Sequence, residues 1–347
     1  MNMMDWLFVA FFVITFLGVK MAPKGEFAED VLSKERGNVL RGIFILGIML
    51  HHLSQRTDGG KLTFIFLYMG SLAVGIYLFI SGYGLMKQYH QRGDAYISTF
   101  LQKRLPRILI PYLIANLAYM GGYLLIGKKF KMTQILKSFT TGDPFVLFSW
   151  YVISIFFFYL EFYLVHRFLK KKVLMVIMDL LFLAGYIFVC AKLETGAWWY
   201  NTSIVFFLGM LWEEHEESIM NFLKKGYWVK LILSFVLTIG LYKVANGIEY
   251  GSAKNIALMW IDTSLFIVFV LMLSMKFILS NKLLVFLGTI SFEIYLYHGF
   301  VVTMLTSRGF RVSNDLLFSI IVIIGGTILG FIFCKLDNLI LKKLSKS

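Results

Sequence analysis

VLMVIMDLLFLAGYIFVCAK, residues 173–192, carries a single carboxylate, Asp179, and one lysine at its end. A bilayer hydrocarbon core about 30 Å thick takes roughly 20 apolar residues rising about 1.5 Å each as a helix. This run has that length. It is continuously apolar, without the alternation over about ten residues that marks a transmembrane β-strand. Lipid offers the backbone no hydrogen-bond partner, so only helices and closed barrels span it. The run therefore reads as a transmembrane helix. Working outward, ten further stretches read the same way, near residues 4–20, 38–55, 62–86, 106–126, 148–167, 198–212, 228–245, 256–277, 283–306 and 314–334. The stretch at 198–212 is the shortest, and Trp198, Trp199 and Trp212 border it as an interfacial aromatic belt does. The expected fold is all-α, a polytopic transmembrane helical bundle of about 11 spans.

Composition agrees. Hydrophobic residues make up 59% of the 347-residue chain and charged residues 16%, and the mean hydropathy is +0.75. An ordinary soluble domain is about half apolar. The net charge of +14 would raise nucleic acid as a partner in a soluble protein. Here the cations fall between apolar runs and read as loop anchors, so membrane lipids are expected and nucleic acid is not. With the N-terminus outside, 23 of the 34 Lys and Arg fall in cytoplasmic segments and 11 outside. That bias obeys the positive-inside rule and puts the C-terminus in the cytoplasm of a multi-pass plasma-membrane protein. The outside loop GKKFKMTQILK, with Lys128, Lys129, Lys131 and Lys137, is the exception. Residues 1–20 carry Asp5, no basic n-region and no A-x-A pattern, and read as a retained helix rather than a signal peptide. Cys190 and Cys334 lie near the ends of apolar runs and read as packing residues. No Cys/His cluster has metal-ligand spacing, so no metal is expected.

Three clusters of ionisable residues interrupt this pattern. In LRGIFILGIMLHHLSQR, residues 40–56, Arg41 and His52 fall within about 20° of one helix face and about 16 Å apart along the axis. His51 is rotated roughly 80° from Arg41. A histidine at depth suits a general base, and it also suits a structural role against a neighbouring carbonyl. In FLQKRLPRILIPY, residues 100–112, Lys103, Arg104 and Arg107 cluster at the cytoplasmic mouth of the fourth span, with Pro106 fitting a first helical turn. Such a fork of guanidiniums grips phosphate bidentately. It would also serve as a snorkelling anchor. In LGTISFEIYLYHGF, residues 287–300, Ser291, Tyr295 and His298 share one face at i, i+4 and i+7, with Glu293 off it. Intramembrane ionisable residues point to function, and Glu161, Asp179 and Asp262 join them, with structural hydrogen-bond hubs as the plainer role. In LFISGYGL, residues 78–85, Ser81, Gly82 and Gly84 read as small residues for close helix packing.

Together the motifs resemble the acyltransferase family 3 integral membrane proteins, which include bacterial O-acetyltransferases of cell-envelope polysaccharides. The resemblance rests on Arg41 and His52 with ten residues between them, LFISGYGL, the Arg-x-x-Arg of Arg104 and Arg107, SWYVISIFFFY around Trp150, and SFEIYLYH ending at His298, in the family's order. It implies a membrane domain over residues 37–335, preceded by an extra N-terminal helix and cytoplasmic loop (1–36) and followed by a short basic cytoplasmic tail (336–347). It implies transfer of an acyl group, most often acetyl, from cytoplasmic acyl-CoA such as acetyl-CoA to a hydroxyl of an extracytoplasmic glycan. His52 would be catalytic with Arg41 beside it. Arg104, Arg107 and Lys103 would bind the coenzyme A phosphates. Trp150, Glu161, Ser291, Glu293, Tyr295 and His298 would support substrate or structure. Two departures from the family pattern are the extra helix at 4–20 and the lack of room for the SGNH hydrolase domain that some members carry. Transfer would then go directly to a hydroxyl or through a separate extracytoplasmic transferase. A transporter of a small anionic or sugar-like solute is the competing class. Against it, no pair of Gly/Pro-interrupted helices marks an inverted repeat.

Overall fold

The structure is a computed structural model that describes residues 3–58, 60–140, 144–279 and 281–344. In chain order, α1 (Asp5–Phe16) and the two-residue strand β1 (Lys20–Met21) precede α2 (Lys34–Ser54). A 3-10 turn over Thr63–Tyr68 leads into α3 (Met69–Arg92), then come α4 (Asp94–Ser98), α5 (Phe100–Arg104), α6 (Pro106–Leu125) and α7 (Met132–Thr140). The middle of the chain forms α8 (Trp150–Phe168), α9 (Lys172–Lys192), α10 (Ile204–Glu214), α11 (Glu216–Lys224), α12 (Tyr227–Asn246) and α13 (Ala253–Lys276). Strand β2 (Phe277–Ile278), α14 (Lys282–Thr289), α15 (Ser291–Leu305) and α16 (Asp315–Leu344) complete it. The chain is nearly all-α.

All eleven apolar stretches are helical, but they are not equivalent. Among the described residues, seven helices are long and apolar enough to cross a membrane: Thr63–Arg92, Phe100–Leu125, Trp150–Phe168, Lys172–Lys192, Tyr227–Asn246, Ala253–Lys276 and Asp315–Leu344. The stretch expected as one straight span at 283–306 is instead two helices, α14 and α15, bent by 77°. Gly288 lies so close to the Asn38 backbone that α14 must follow α2, and the chain turns away at Ile290. The helices at the first and seventh stretches, α1 and α10, have 12 and 11 residues, about half the length a bilayer core needs. α2 is long enough but carries Lys34, Glu35, Arg36 and Arg41 in its first half. Residues 336–344, expected as a tail, continue α16, and Lys342 and Lys343 sit in its last turn, where cations suit the helix dipole.

Helix α2 lies at the centre of the bundle. Every residue from Gly42 to Leu50 is buried, as in a helix covered on all sides. It packs against α14, α3, α15 and the 3-10 turn. At the other extreme, α9 exposes Leu180, Leu181 and Phe188, an apolar face suited to lipid. Glycines set the tightest contacts. A Cβ on Gly82 of α3 would meet the Phe206 carbonyl of α10, and one on Gly209 of α10 would meet the Phe79 carbonyl of α3. Without a hydrophobic drive between helices in lipid, such backbone approach does much of the packing. Gly82→Leu is expected to lower the thermal midpoint of the purified protein, since overpacking costs about 1–3 kcal/mol or more. Gly84→Leu, with no atom within 4 Å of its Cβ position, serves as the control; equal midpoints for the two would refute the close α3–α10 contact.

The segment before α2 is fastened to the end of α13. β1 pairs antiparallel with β2. The Lys276 ammonium donates to the Pro23 and Glu26 carbonyls at 2.6 and 3.0 Å, and Asn281 donates to the Ile14 carbonyl at 2.8 Å. Arg36 donates to the Ser274 carbonyl and pairs with Asp30 at 2.8 Å. That hydrogen bond holds the Asp30 carboxyl below its ordinary pKa.

Candidate active site

A cavity of about 400 Å³ opens between α2, α3, α6, α8 and the α14–α15 bend. On α2 it is lined by Lys34, Asn38, Arg41 and Ile48, one stripe at helical spacing. Arg104 and Arg107 face it from the junction of α5 and α6, where Pro106 occupies the first turn of α6. Four cations thus converge on one cavity. Arg41 donates to Asn38 Oδ1 at 3.1 Å, and its carbonyl accepts the Tyr77 hydroxyl at 2.6 Å. Arg104 Nε donates to the Tyr96 hydroxyl at 3.0 Å, which holds the guanidinium in place. The bend between α14 and α15 brings Ser291, Glu293 and Tyr295 into the lining together with Ser81, Tyr151 and Tyr159, and the Tyr295 and Tyr151 rings meet edge to face at 5.6 Å. The chemistry of this lining suits a phosphorylated ligand, since guanidiniums bind phosphate bidentately.

His52 lies one turn beyond Ile48 on the α2 stripe, past the cavity rather than in it. Its ring stacks on Phe148 with centroids 3.5 Å apart, and His298 lies 5.3 Å from it. Phe148 has φ 66°, a left-handed conformation that a bulky residue adopts only under constraint. The constraint is visible: the Tyr295 hydroxyl donates to the Phe148 carbonyl. Tyr295 thereby ties the cavity wall to the histidine cluster.

Hydrogen bonding fixes the tautomers. The Phe66 carbonyl can only accept, so His51 Nδ1, 2.9 Å away, carries the proton. Neutral His51 then accepts at Nε2 from the Gln55 amide nitrogen at 3.1 Å. That orientation turns Gln55 Oε1 toward His52 Nδ1 at 3.3 Å, which must donate. His52 Nε2 is left with its lone pair available, the form a general base needs. His298 follows the same logic. Its Nδ1 donates to the Ile294 carbonyl at 3.1 Å, while its buried Nε2 has no hydrogen-bond partner among the described residues.

Of the residues expected from sequence, Arg41, Arg104, Arg107, Ser291, Glu293 and Tyr295 share the cavity, and His52 and His298 meet beside it. Arg41 is not beside His52: eleven helical residues place them about 16 Å apart, each with its own partners. Lys103 does not line the cavity. Trp150 and Glu161, expected to support substrate or structure, lie outside the cavity lining; Trp150 packs against Tyr151 and Trp199, and Glu161 is buried on α8. Ser81, expected as a packing residue, lines the cavity. Lys34, Asn38, Tyr77, Tyr151, Tyr159, Phe148 and Gln55 join the site in the structure, Tyr77, Tyr151, Tyr159 and Phe148 through the meeting of separate elements and Gln55 through local contacts with His51 and His52. The α2 stripe does carry a signal for Lys34 and Asn38, since both continue the Arg41 face at helical spacing.

Residues 37–335 match the family model described as an acyltransferase domain. No curated protein and no solved structure matches the chain. The matched segment covers most of the chain and contains the arginine fork, the histidine cluster and all of the cavity lining except Lys34, so the chain belongs to acyltransferase family 3 and is a membrane acyltransferase.

Proposed function

We propose that the protein is an O-acyltransferase that draws an acyl group, with acetyl the expected one, from cytoplasmic acyl-CoA and delivers it to a hydroxyl of an extracytoplasmic cell-envelope glycan. The observation that carries the reading is the α2 stripe, which runs from a four-cation cavity to a histidine with an available Nε2. The coenzyme A phosphates bind Arg41, Arg104, Arg107 and Lys34, and the thioester extends toward His52. His52 Nε2 takes the proton as the acceptor oxygen attacks the thioester carbonyl. The C–S bond breaks and the proton passes to the coenzyme A thiolate. In this reading all eleven helical stretches enter the membrane, several as partial spans. The N-terminus lies outside and the C-terminus in the cytoplasm, as the distribution of Lys and Arg supports.

The test is acyl transfer by purified protein in detergent, with labelled acetyl-CoA, envelope glycan and no ion gradient. Thiol release coupled to label in the glycan is expected. Protein that is folded yet neither binds acetyl-CoA nor releases thiol would overturn the reading in favour of transport.

A further inference from the structure

A second cavity, of about 500 Å³, lies past the other ends of the same helices. Arg56 follows the C-terminus of α2, Lys128 that of α6, and Arg308 that of α15. At about 1.5 Å per residue, its cations lie about 30 Å along α2 and α6 from Lys34 and Arg107 at the mouth of the first cavity, whose inner wall reaches Ile48, about 12 Å along α2 from Arg56. We propose that it is the acceptor site and that it selects a glycan bearing phosphate or carboxylate; this deepens the acyl-transfer reading and rests on it.

Three features support the assignment. First, the charge is of one sign. Arg56, Lys128 and Arg308 line the cavity, no carboxylate does, and none of the three forms an ion pair among the described residues. The outward concentration of lysine around residues 128–137 breaks the positive-inside pattern, and an anion-binding role accounts for Lys128 there. Second, the remaining polar groups complement sugar hydroxyls. Thr303, Thr306 and Ser307 spend their protons on the Gly299, Val302 and Met304 carbonyls at 2.8, 2.9 and 2.6 Å. Their oxygens remain as acceptors. The cavity therefore offers cationic donors for an anion and acceptors for hydroxyls. Third, it abuts the base. The Arg56 guanidinium donates to the His52 carbonyl at 3.1 Å and stands over the Phe148 ring at 5.0 Å. Leu147, next to Phe148, lines the cavity wall.

The experiment uses full-length protein in phosphatidylcholine nanodiscs, with excess coenzyme A filling the donor cavity. Calorimetric titration compares N-acetylglucosamine 1-phosphate with N-acetylglucosamine. The phosphate form is expected to bind at least about tenfold tighter, the scale of one charge-assisted contact. A Lys128→Ala, Arg308→Ala double variant should lose that preference while keeping wild-type acetyl-CoA affinity. Equal affinity for the two sugars, or a preference that survives the double variant, overturns the site. Elimination of sugar-phosphate binding in discs containing phosphatidylglycerol would assign the cations to a lipid headgroup and overturn the glycan assignment. Wild-type protein that prefers the sugar phosphate but does not bind acetyl-CoA would sink the donor reading and leave the anion site standing.

Discussion

His52→Ala is expected to lose nearly all acyl transfer, a fall of about 10²–10⁴ in rate for removal of a general base. The variant should still express, insert and bind acetyl-CoA, because His52 lies outside the donor cavity. His51→Ala should retain much more activity. His51 acts only through Gln55, which it orients, and Gln55 keeps its own contact with His52 Nδ1. Initial rates of glycan acylation for the two purified variants decide the matter. An active His52 variant beside an inactive His51 variant would reverse the assignment of the base.

The second large effect is on donor affinity. Arg104→Ala and Arg107→Ala should each raise the acetyl-CoA dissociation constant by about 10- to 100-fold, since hydrogen bonds to charged groups contribute about 1.5–3 kcal/mol each. Lys substitutions should restore only part, because an ammonium cannot reproduce the planar fork. The loss should be deepest at Arg104, whose guanidinium Tyr96 already holds in position. Added salt should weaken wild-type binding too, though less than for a fully exposed site. Wild-type affinity in both alanine variants would leave these arginines as membrane anchors.

Much of this was legible because a helix converts sequence spacing into a face. Arg41 and His52 lie on one stripe, Arg104 and Arg107 share the first cavity, and Gly82 makes a backbone contact, each as its local pattern implies. What spacing could not give was the meeting of separate helices. Phe148 sits in a loop whose backbone is set by Tyr295 from another part of the chain, and no periodicity marks it. The break at Ile290 was hidden for a related reason. The run 283–306 has the length and apolar content of a single span, and the close approach of Gly288 to the Asn38 backbone, which accompanies the bend, comes from a distant part of the chain. Lys103 belongs to the same basic cluster as Arg104 and Arg107 but does not line the cavity, a distinction that spacing alone does not draw.

The fastening of the segment before α2 bears on how the gene can be cut. The family match begins at residue 37, and that boundary invites a truncation there. Phe11 packs edge-on against Phe66, whose carbonyl fixes the His51 tautomer, and Asp5 accepts the Leu62 amide proton at 2.8 Å. Trimming to the matched residues would strip the cover from that turn, orphan the Lys276 ammonium, and loosen the chain of hydrogen bonds that ends at His52. The unit that is recognised by resemblance is thus smaller than the unit that folds, and expression trials should begin upstream of Asp5.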